Sequence, residues 1–372
     1  MRKIAVISAN PVEFYPPLRN LLRDPRWKGH RVTLYSMLSR KRSGLQFQAD
    51  GIRCVRTVQR RSRFSCLNLL DRLWFSFRVL GGLIISRPDR ILYIESNSAL
   101  PVYWYRRYFN RKVGIFIHYY EYAEPEQYAC EPWNGYCHGK ELYLYGLLNW
   151  CSHCNSRRLE FFCRDWGVPP ELSHVVPNYP PREWQAHFRE RRSFSAPLKA
   201  VYIGSLSNDT MYVREFAAFV MAQGGRIHWD IFAFNHDGET RRELEELGCP
   251  WIRFFPEGVE YDRIPALLDG YDVGILLYRG HSMNYRYNET NKFYEYLICG
   301  LDVWFPSSML LLHGYQKRGT FPCVTMADFG ELKSFDWECA ASHEGVPCRK
   351  PLFAAEDANS QLIAALTAGR GR

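Results

Sequence analysis

The sequence predicts an α/β protein with two parallel-sheet domains, and three observations support this. Short apolar runs rich in β-branched residues alternate with helix-length amphipathic stretches, a pattern typical of parallel strands joined by crossover helices. The alternation starts afresh at Leu198, after a proline-rich stretch. The chain has 372 residues, which exceeds the usual size of a single domain.

The predicted strands are short, and most are followed by a helix-length segment. In the first half they are Lys3–Ser8, Arg31–Ser36, Arg90–Glu95, Val113–His118 and a weaker run near Trp150–Asn155. In the second half they are Leu198–Ile203, Ile227–Ala233, Trp251–Phe254, Asp272–Tyr278 and Leu301–Phe305, with helices at Met211–Ala222, Thr240–Leu247, Arg263–Leu268 and Asn291–Cys299. Ligands of open parallel sheets bind beyond the carboxyl ends of the strands, so the residues just after each strand are the candidate site residues.

Prolines and charges indicate where the two domains are joined. A run of Asn, Tyr and two Pro at residues 178–181 precedes a charged stretch, and both are typical of a connection. We expect an N-terminal domain at residues 1–180, a linker at 181–197 and a C-terminal domain at 198–350. A terminal helix and tail at 351–372 are expected to pack back on the N-terminal domain.

The charge of the chain is unevenly distributed. Residues 1–113 carry 23 Lys and Arg against 6 Asp and Glu, whereas the remainder carries 25 against 33. A basic half can face nucleic acid, an anionic membrane or a phosphorylated substrate, and charge alone leaves these open. The hydrophobic fraction of 47% and the lack of low-complexity tracts exclude a disordered or fibrous chain.

The 12 cysteines do not predict a disulfide-bonded secreted protein, because such scaffolds are short. A charged tripeptide directly precedes the first strand, so we expect no signal peptide, reduced thiols and a cytoplasmic location. The longest apolar run, residues 73–85, contains Arg78 and is too short to span a bilayer. Cys151 and Cys154 have CxxC spacing, but strand positions three apart point to opposite faces and no second CxxC exists, so zinc is not expected.

The strand Leu198–Ile203 ends in Gly204 and Ser205 before a helix. Glycine permits close approach of the backbone, and the free amides at a helix start favour phosphate. The turn lacks the three glycines of a dinucleotide fingerprint and the Gly-Lys-Ser/Thr of a P-loop. It therefore fits a plain capped turn as well as a phosphate site.

The segment from Asn291 to Gly300 carries the strongest functional signal. Lys292 and Glu295 lie three residues apart near the start of a predicted helix, so they share one face. A lysine there can neutralise a diphosphate, and a carboxylate one turn on can accept two hydrogen bonds from a ribose diol. On spacing alone, a surface ion pair also fits.

Three segments resemble the donor-binding domain of retaining GT-B glycosyltransferases in order and spacing. They are residues 201–206, 264–275 and 291–300. The resemblance implies two Rossmann-like domains whose parallel sheets face a central cleft. It also implies transfer of a sugar from a nucleoside diphosphate sugar, with retention of configuration and without a metal or other cofactor. The donor-binding residues that it implies are Gly204, Ser205, Glu257, Gly258, Asn291, Lys292 and Glu295, with Lys292 on the diphosphate and Glu295 on the ribose.

The chain departs from the pattern of that family near this site. Tyr287 replaces an acidic residue commonly found eight positions before the ribose glutamate, although Glu289 is nearby. Asp302 stands where a proline often follows the helix, and no arginine accompanies the Gly204 turn. The contacts to the donor sugar ring are therefore left open.

His118 follows a predicted strand of the first half and resembles the family's cleft histidine, which approaches the donor sugar. His118 and Lys292 are therefore the catalytic candidates. A lone histidine after a strand is also typical of an ordinary hydrogen-bonding residue. If the enzyme inverts instead, His118 or Glu121 is the candidate base. The acceptor-side candidates are Asn10, Glu95, Ser96 and Glu121.

Residues 60–84 combine an arginine cluster with apolar residues at helical spacing. Such a segment is typical of a helix that lies on an anionic membrane, although most of it also fits the packing face of a crossover helix. With the basic first half, it predicts peripheral attachment to the inner face of the cell membrane. We expect the acceptor to be a glycan, lipid-linked or otherwise, as in polysaccharide biosynthesis.

Two other functions stay open at this point. One is a nucleotide-sugar epimerase on the same fold, which would convert a donor without any acceptor. The other is a non-catalytic relative that binds a membrane or nucleic acid. The aromatic and glycine motifs of RNA-binding sheets are not evident, so nucleic acid is not expected as a partner.

Overall fold

The structure, a computed structural model, describes residues 1–39, 47–59, 65–190, 196–316, 319–343 and 345–369. It divides into two compact units: Met1–Asn178 with Ala355–Arg372, and Tyr179–Ala354. Each unit contains one parallel sheet with helices along the chain between its strands. The prediction of an α/β chain with two parallel sheets is confirmed.

The sheet of the first unit is seven-stranded, in the order β3-β2-β1-β4-β5-β6-β7, and each neighbouring pair is parallel. Its strands in the described residues are β1 Lys3–Ser8, β2 Arg31–Ser39, β3 Ile52–Gln59, β4 Arg90–Ile94, β5 Gly114–Tyr119, β6 Leu148–His153 and β7 Ser173–Val175. The strand order reverses between β1 and β4, so the loops after these two strands are neighbours at the carboxyl edge.

The helices of the first unit connect these strands. Those before residue 178 in the described part are α1 Pro16–Arg23, α2 Ser65–Ser86, α3 Ala99–Trp104, α4 Pro125–Cys130, α5 Pro132–Tyr145 and α6 Ser156–Trp166. Helix α3 continues into a π-helical turn, Tyr105–Phe109. Helix α6 is capped at both ends: the side chain of Asn155 accepts a hydrogen bond from the Arg158 N–H, and Gly167 adopts the left-handed conformation.

The sheet of the second unit has six strands in the order β10-β9-β8-β11-β12-β13. They are β8 Leu198–Ile203, β9 Ile227–Phe232, β10 Ile252–Phe255, β11 Val273–Ile275, β12 Asp302–Pro306 and β13 Val324–Ala327. The described helices of this unit are α7 Val213–Ala222, α8 Gly238–Glu246, α9 Ile264–Leu268, α10 Met283–Arg286, α11 Asn291–Ile298 and α12 Trp337–Ala341. Here the order reverses between β8 and β11, which makes the loops after those strands neighbours.

The C-terminal segment belongs to the first unit. It forms α13 Ala355–Ala358 and α14 Ser360–Thr367. Leu362, Ile363 and Leu366 of α14 are buried in the same apolar cluster as Ile4 and Val6 of β1. The backbone carbonyl of Ala368 also accepts hydrogen bonds from Arg2 and Arg90 side chains. The first unit is therefore built from both ends of the chain.

Three strands were not predicted, and all three lie at sheet edges. β3 carries arginines and is only partly buried, while β7 and β13 have three and four residues. Residues 181–197, predicted as a linker, include the 3-10 turn Arg182–His187, whose Trp184 is buried in the core of the second unit. The described part of that stretch is thus integrated into the second unit. Among the described residues, no helix has both the length and the apolar character needed to cross a membrane.

Candidate functional site

Helix α11 is held close to the second sheet by a glycine. A Cβ atom at Gly274 of β11 would lie 2.1 Å from the ring of Tyr296, so a larger residue would push the helix away. The Tyr296 hydroxyl accepts a hydrogen bond from the backbone N–H of Ile203 at 3.1 Å. These two contacts, both made by Tyr296, hold α11 against β11 and the carboxyl end of β8.

Gly204 and Lys292 lie against each other at that point. Gly204 follows β8 with a φ of 141°, a conformation that side chains rarely adopt. A Cβ atom there would come within 2.2 Å of Lys292 Cε and 2.7 Å of Lys292 Nζ. The stem of the lysine therefore occupies the space that a side chain at position 204 would need.

The Lys292 ammonium is oriented by aromatic residues. Its Nζ donates to the Tyr278 hydroxyl at 3.3 Å and lies 5.7 Å and 5.8 Å from the ring centroids of Tyr202 and Tyr278. Within the described part of the chain, the ammonium forms no ion pair with a carboxylate. Its positive charge therefore remains available to an anionic ligand at the carboxyl edge of the sheet.

Glu295 occupies a different environment one turn along α11. Its side chain is 2% exposed and accepts a hydrogen bond from Asn291 Nδ2 at 2.7 Å. Burial raises the pKa of Glu295 to about 7, while hydrogen bonds from Asn291 and Tyr261 and the charge of Lys292 act in the opposite direction. A carboxyl group with this pKa changes its ionisation near neutral pH, and its ionised form accepts hydrogen bonds from a diol.

The remaining donor candidates lie on loops that follow β8 and β10. Ser205 is exposed, and its Oγ accepts a hydrogen bond from Asn235 Nδ2 at 3.2 Å. Gly258 has a φ of 63°, and a Cβ atom there would lie 3.1 Å from the backbone nitrogen of Phe234. Glu257 is exposed beside it. Since Phe234 and Asn235 follow β9, the loops after three neighbouring strands meet at this edge.

Sequence reasoning missed Arg279, which supports the loop after Gly204. Its Nε donates to the backbone carbonyl of Met211 at 3.0 Å and lies 3.3 Å from that of Asn208. Its Nη2 donates to both carboxylate oxygens of Glu215, at 2.7 Å and 2.9 Å. Arg279 comes shortly after β11, where candidate residues were expected. The sequence pattern did not indicate that it would contact Met211 and Glu215. The loop after Gly204 is thus supported by an arginine from the loop after β11.

Glu289, two residues after Tyr287, is buried among tyrosines. It is 7% exposed and accepts a hydrogen bond from the Tyr315 hydroxyl, and Tyr294 adjoins both groups. Its carboxyl group is therefore engaged with tyrosines inside the second unit.

In the first unit, Glu95 adopts a strained conformation at the end of β4. Its φ is 62°, which is uncommon for a residue other than glycine and often marks a functional position. Its Oε1 accepts hydrogen bonds from the backbone N–H groups of Tyr120 at 2.7 Å and Glu121 at 3.2 Å. Burial and the charge of Glu121 raise the pKa of Glu95 to about 8, although the two backbone hydrogen bonds oppose this.

His118 lies on the adjacent strand β5 and is buried, with 2% of its surface exposed. Its Nδ1 lies 2.8 Å from Ser152 Oγ on β6, and its ring meets the Tyr120 ring edge to face at 4.5 Å. Burial lowers the pKa of His118 to about 3. The imidazole is therefore neutral near pH 7 and is a weak general base.

The other acceptor-side candidates form two small groups near the carboxyl edge of the first sheet. Asn10 Nδ2 donates to the Tyr15 hydroxyl at 2.9 Å, and Asn97 Nδ2 lies 3.4 Å from Asn10 Oδ1. Ser96 Oγ lies 3.0 Å from the Tyr128 hydroxyl. Glu121 is exposed. The structure therefore brings Asn10 close to Asn97, and Glu95 close to Glu121.

Of the described residues, one group of three has ligand-type atoms close enough to hold a metal ion, and it does not include the CxxC residues. Asp302, Cys323 and His343 have such atoms within 4.8 Å of one another, and all three are buried. The Asp302 carboxylate accepts hydrogen bonds from the Cys323 N–H at 2.7 Å and from His343 Nε2 at 2.8 Å. These residues lie at the amino ends of β12 and β13, opposite the carboxyl edge, and serve there as a hydrogen-bonded clamp.

Comparison with known proteins gives matches only among solved structures. No protein-family model matches the chain, and no curated protein matches it. A lipopolysaccharide outer core galactosyltransferase is 14% identical, with 98% of this chain and 99% of that chain covered at a TM-score of 0.62. The sucrose-phosphate synthase of Thermosynechococcus elongatus is 11% identical, with 98% and 95% covered at a TM-score of 0.60. The UDP-GlcNAc 2-epimerase of Methanocaldococcus jannaschii is 8% identical, with 99% and 100% covered at a TM-score of 0.60.

The similarity to these structures extends over nearly the whole chain. At identities of 14% or less it shows the fold, and transferases and an epimerase share that fold. Both Rossmann-like units are included in the matches. The chain therefore has the GT-B fold.

Proposed function

We propose that the protein is a glycosyltransferase that moves a sugar from a nucleoside diphosphate sugar to an acceptor. The observation that carries this proposal is the Lys292 ammonium, which lies against Gly204 without an ion pair in the described part of the chain. Glu295, with a pKa near 7, lies one turn away on the same helix. A cation and a carboxylate so arranged suit a diphosphate and a ribose diol, respectively.

In the proposed reaction, negative charge develops on the leaving diphosphate. Lys292 stabilises that charge more strongly in the transition state than in the ground state. The family resemblance supports retention of configuration without a metal, with the leaving phosphate helping to deprotonate the acceptor. Because the pKa of His118 is so low, we assign it a role in hydrogen bonding to substrate rather than in proton abstraction.

The acceptor is proposed to bind the first unit. Asn10, Glu95, Ser96 and Glu121 provide amide, carboxyl and hydroxyl groups near the carboxyl edge of its sheet, which suits the hydroxyl groups of a glycan. We propose a glycan acceptor, lipid-linked where the membrane takes part. The basic first unit would attach peripherally to the cytoplasmic leaflet, whose surface potential is negative.

A nucleotide-sugar epimerase is a second candidate. Its support is the solved UDP-GlcNAc 2-epimerase, which matches this chain at the same TM-score as the sucrose-phosphate synthase. Incubating the protein with a nucleotide sugar and no acceptor separates the two functions. An epimerase inverts one carbon of the sugar, and its product is still a nucleotide sugar. A transferase produces no such epimer. The anomeric configuration of a transferase product, read by NMR, then tests retention.

The donor site is tested by thermal shift with UDP, GDP, CDP and ADP and their sugars. A true donor at 100 times its dissociation constant stabilises the wild type by roughly 2.7 kcal/mol. We expect Lys292→Ala to weaken binding at least tenfold. Lys199→Ala is the matched control, because Lys199 is exposed at the amino end of β8. The assignment fails if no nucleotide stabilises the wild type, or if both variants respond alike.

A further inference from the structure

Helix α2 presents an apolar stripe that the described part of the chain leaves uncovered. Phe75, Val79 and Leu83 on its inner face are buried. The outer face repeats apolar residues at helical spacing, and Trp74 is 59% exposed and Ile85 86% exposed. The exposed members of this stripe are Leu67, Leu70, Trp74, Phe77, Ile84 and Ile85. Ordinary surface helices of monomeric proteins rarely expose so continuous a row.

The stripe extends onto the neighbouring helix α3 and its π-helical turn. The rings of Phe77 and Trp104 stack at 5.3 Å, which joins the two helices at the surface. Just beyond, Tyr108 and Phe109 are 67% and 56% exposed. The exposed apolar surface is therefore wider than one helix.

Helix α5 adds aromatic and basic side chains, which form a row of neighbouring contacts on the surface. Arg107 lies 5.3 Å from the Tyr143 ring, and Tyr143 meets Tyr103 edge to face at 5.5 Å. Lys140 lies 5.9 Å from the Tyr103 ring and 5.3 Å from the Tyr136 ring. This row connects α3 to α5 through cation–π contacts.

Only basic groups are exposed among the charged residues of this surface. Residues 65–86, 99–112 and 132–145 contain seven Lys and Arg and two acidic residues. Both acidic residues, Asp71 and Glu141, are buried. We call the exposed side of α2, α3 with its π-helical turn, and α5 the three-helix face.

We propose that the three-helix face is the surface by which the protein docks on a bilayer of anionic phospholipids, an inference that rests on the proposed membrane attachment. Leucine and isoleucine of α2 enter the acyl boundary, tryptophan and tyrosine lie at headgroup level, and Arg72, Arg107 and Lys140 meet the lipid phosphates. The exposed leucine and isoleucine side chains of the apolar stripe favour lipid over nucleic acid, because stacking on bases uses aromatic rings. A two-fold dimer through this face would bring two surfaces of the same positive charge together.

Sedimentation with lipid vesicles tests the proposal. We expect the wild type to sediment with vesicles that contain phosphatidylglycerol and not with pure phosphatidylcholine, and high salt to release it. Two double variants disrupt the face: Trp74→Ser with Phe77→Ser, and Arg107→Glu with Lys140→Glu. Each basic residue near an anionic surface contributes about fivefold to partitioning, so the charge-reversal variant should lose at least tenfold, and the apolar variant a similar amount.

The controls are Leu352→Ser and Lys333→Glu, both at exposed positions of the second unit, and they should sediment like the wild type. Thermal shift with the nucleotide donor, run on every variant, shows that each is folded and tests the donor site separately. If the wild type ignores anionic vesicles, membrane docking is wrong. If it sediments and the double variants do too, the docking surface lies elsewhere. Dimers that the variants abolish without lipid, or competition by short RNA at equal affinity, would assign the face to a different partner.

Discussion

The stem of Lys292 lies across the backbone of Gly204, so closely that a methyl group at position 204 would come within 2.2 Å of the lysine Cε. The two residues belong to different elements, the turn after β8 and the first turn of α11. Their contact ties the conformation of the turn to the position of the ammonium. A substitution at either position therefore acts on the other.

Gly204→Ala should destabilise the protein and displace Lys292. The left-handed φ of 141° strains alanine, and the methyl group overlaps the lysine stem, so we expect a loss of about 1–3 kcal/mol in the free energy of unfolding. Chemical denaturation measures this loss. Donor affinity should fall as well, because the ammonium moves.

A double-mutant cycle with Lys292→Ala separates strain from overlap. Removing the lysine stem relieves the overlap but not the φ strain, so the double variant should lose less stability than the two single changes together. Purely additive losses would show that the lysine does not occupy this space in solution. Gly29→Ala, at a φ of 82° with open space around it, is the control for backbone strain alone.

Donor binding should weaken as pH falls through about 7. The ionised form of Glu295 accepts the ribose hydrogen bonds, and its pKa of about 7 means that the free protein binds a proton there at lower pH. Affinity for an intact nucleotide sugar should be about tenfold lower at pH 6 than at pH 8, as measured by calorimetry. Glu295→Gln should bind weakly and with little pH dependence. An unchanged pH profile in that variant would exclude Glu295 as its source.

Glu295→Gln should also stabilise the ligand-free protein at alkaline pH. The pKa of Glu295 is raised in the folded state from an ordinary value of 4.5, so stability is lost as pH rises from about 4.5 to about 7. Glu295→Gln removes that loss. Its free energy of unfolding should exceed that of the wild type by up to about 3 kcal/mol above pH 7, with no such gain near pH 4. Urea denaturation at both pH values checks the sign.

Arg279→Lys should reduce donor affinity about tenfold. Lysine cannot hold both the Glu215 carboxylate and the carbonyl of Met211, so the loop after Gly204 loses its anchor. Arg253→Lys is the matched control, since Arg253 forms a similar pair with Asp230 on the strands β10 and β9, away from that loop. Equal donor affinities of the two variants would contradict the role of Arg279.

Asp302→Asn should lower stability without affecting the donor. The buried carboxylate holds the Cys323 N–H and the His343 ring at the amino ends of β12 and β13. Breaking this arrangement should cost about 2–4 kcal/mol in the free energy of unfolding. Donor affinity, measured below the unfolding transition, should equal that of the wild type, because the clamp lies at the opposite edge of the sheet.

Much of the architecture was predictable because buried parallel strands leave a strong local pattern. Runs such as Ile4 to Ile7 and Ala200 to Ile203 are apolar throughout, and the structure buries them. The edge strand β3 was not predicted because Arg53 and Arg56 interrupt its apolar residues and make it resemble an exposed segment. The membership of α14 in the first unit depends on contacts across the length of the chain, which no local pattern contains.

The candidate site was predictable in position and less so in chemistry. The spacing of Lys292 and Glu295 indicated a shared face. The structure instead places the Lys292 ammonium at the carboxyl edge of the sheet and buries Glu295. Glu295 also accepts a hydrogen bond from Tyr261, which lies on a different element. His118 meets Ser152 only because β5 and β6 pair in that register. Such partners follow from strand order, which the sequence does not state.

Helix α14 has a consequence for how the protein is made. Residues 1–178 emerge from the ribosome long before Leu362, Ile363 and Leu366. These three residues are part of the apolar core of the first unit. The second unit, encoded between these parts, is complete earlier. The first unit therefore finishes folding after the second, and until α14 leaves the ribosome Ile4 and Val6 lack the apolar side chains of that helix.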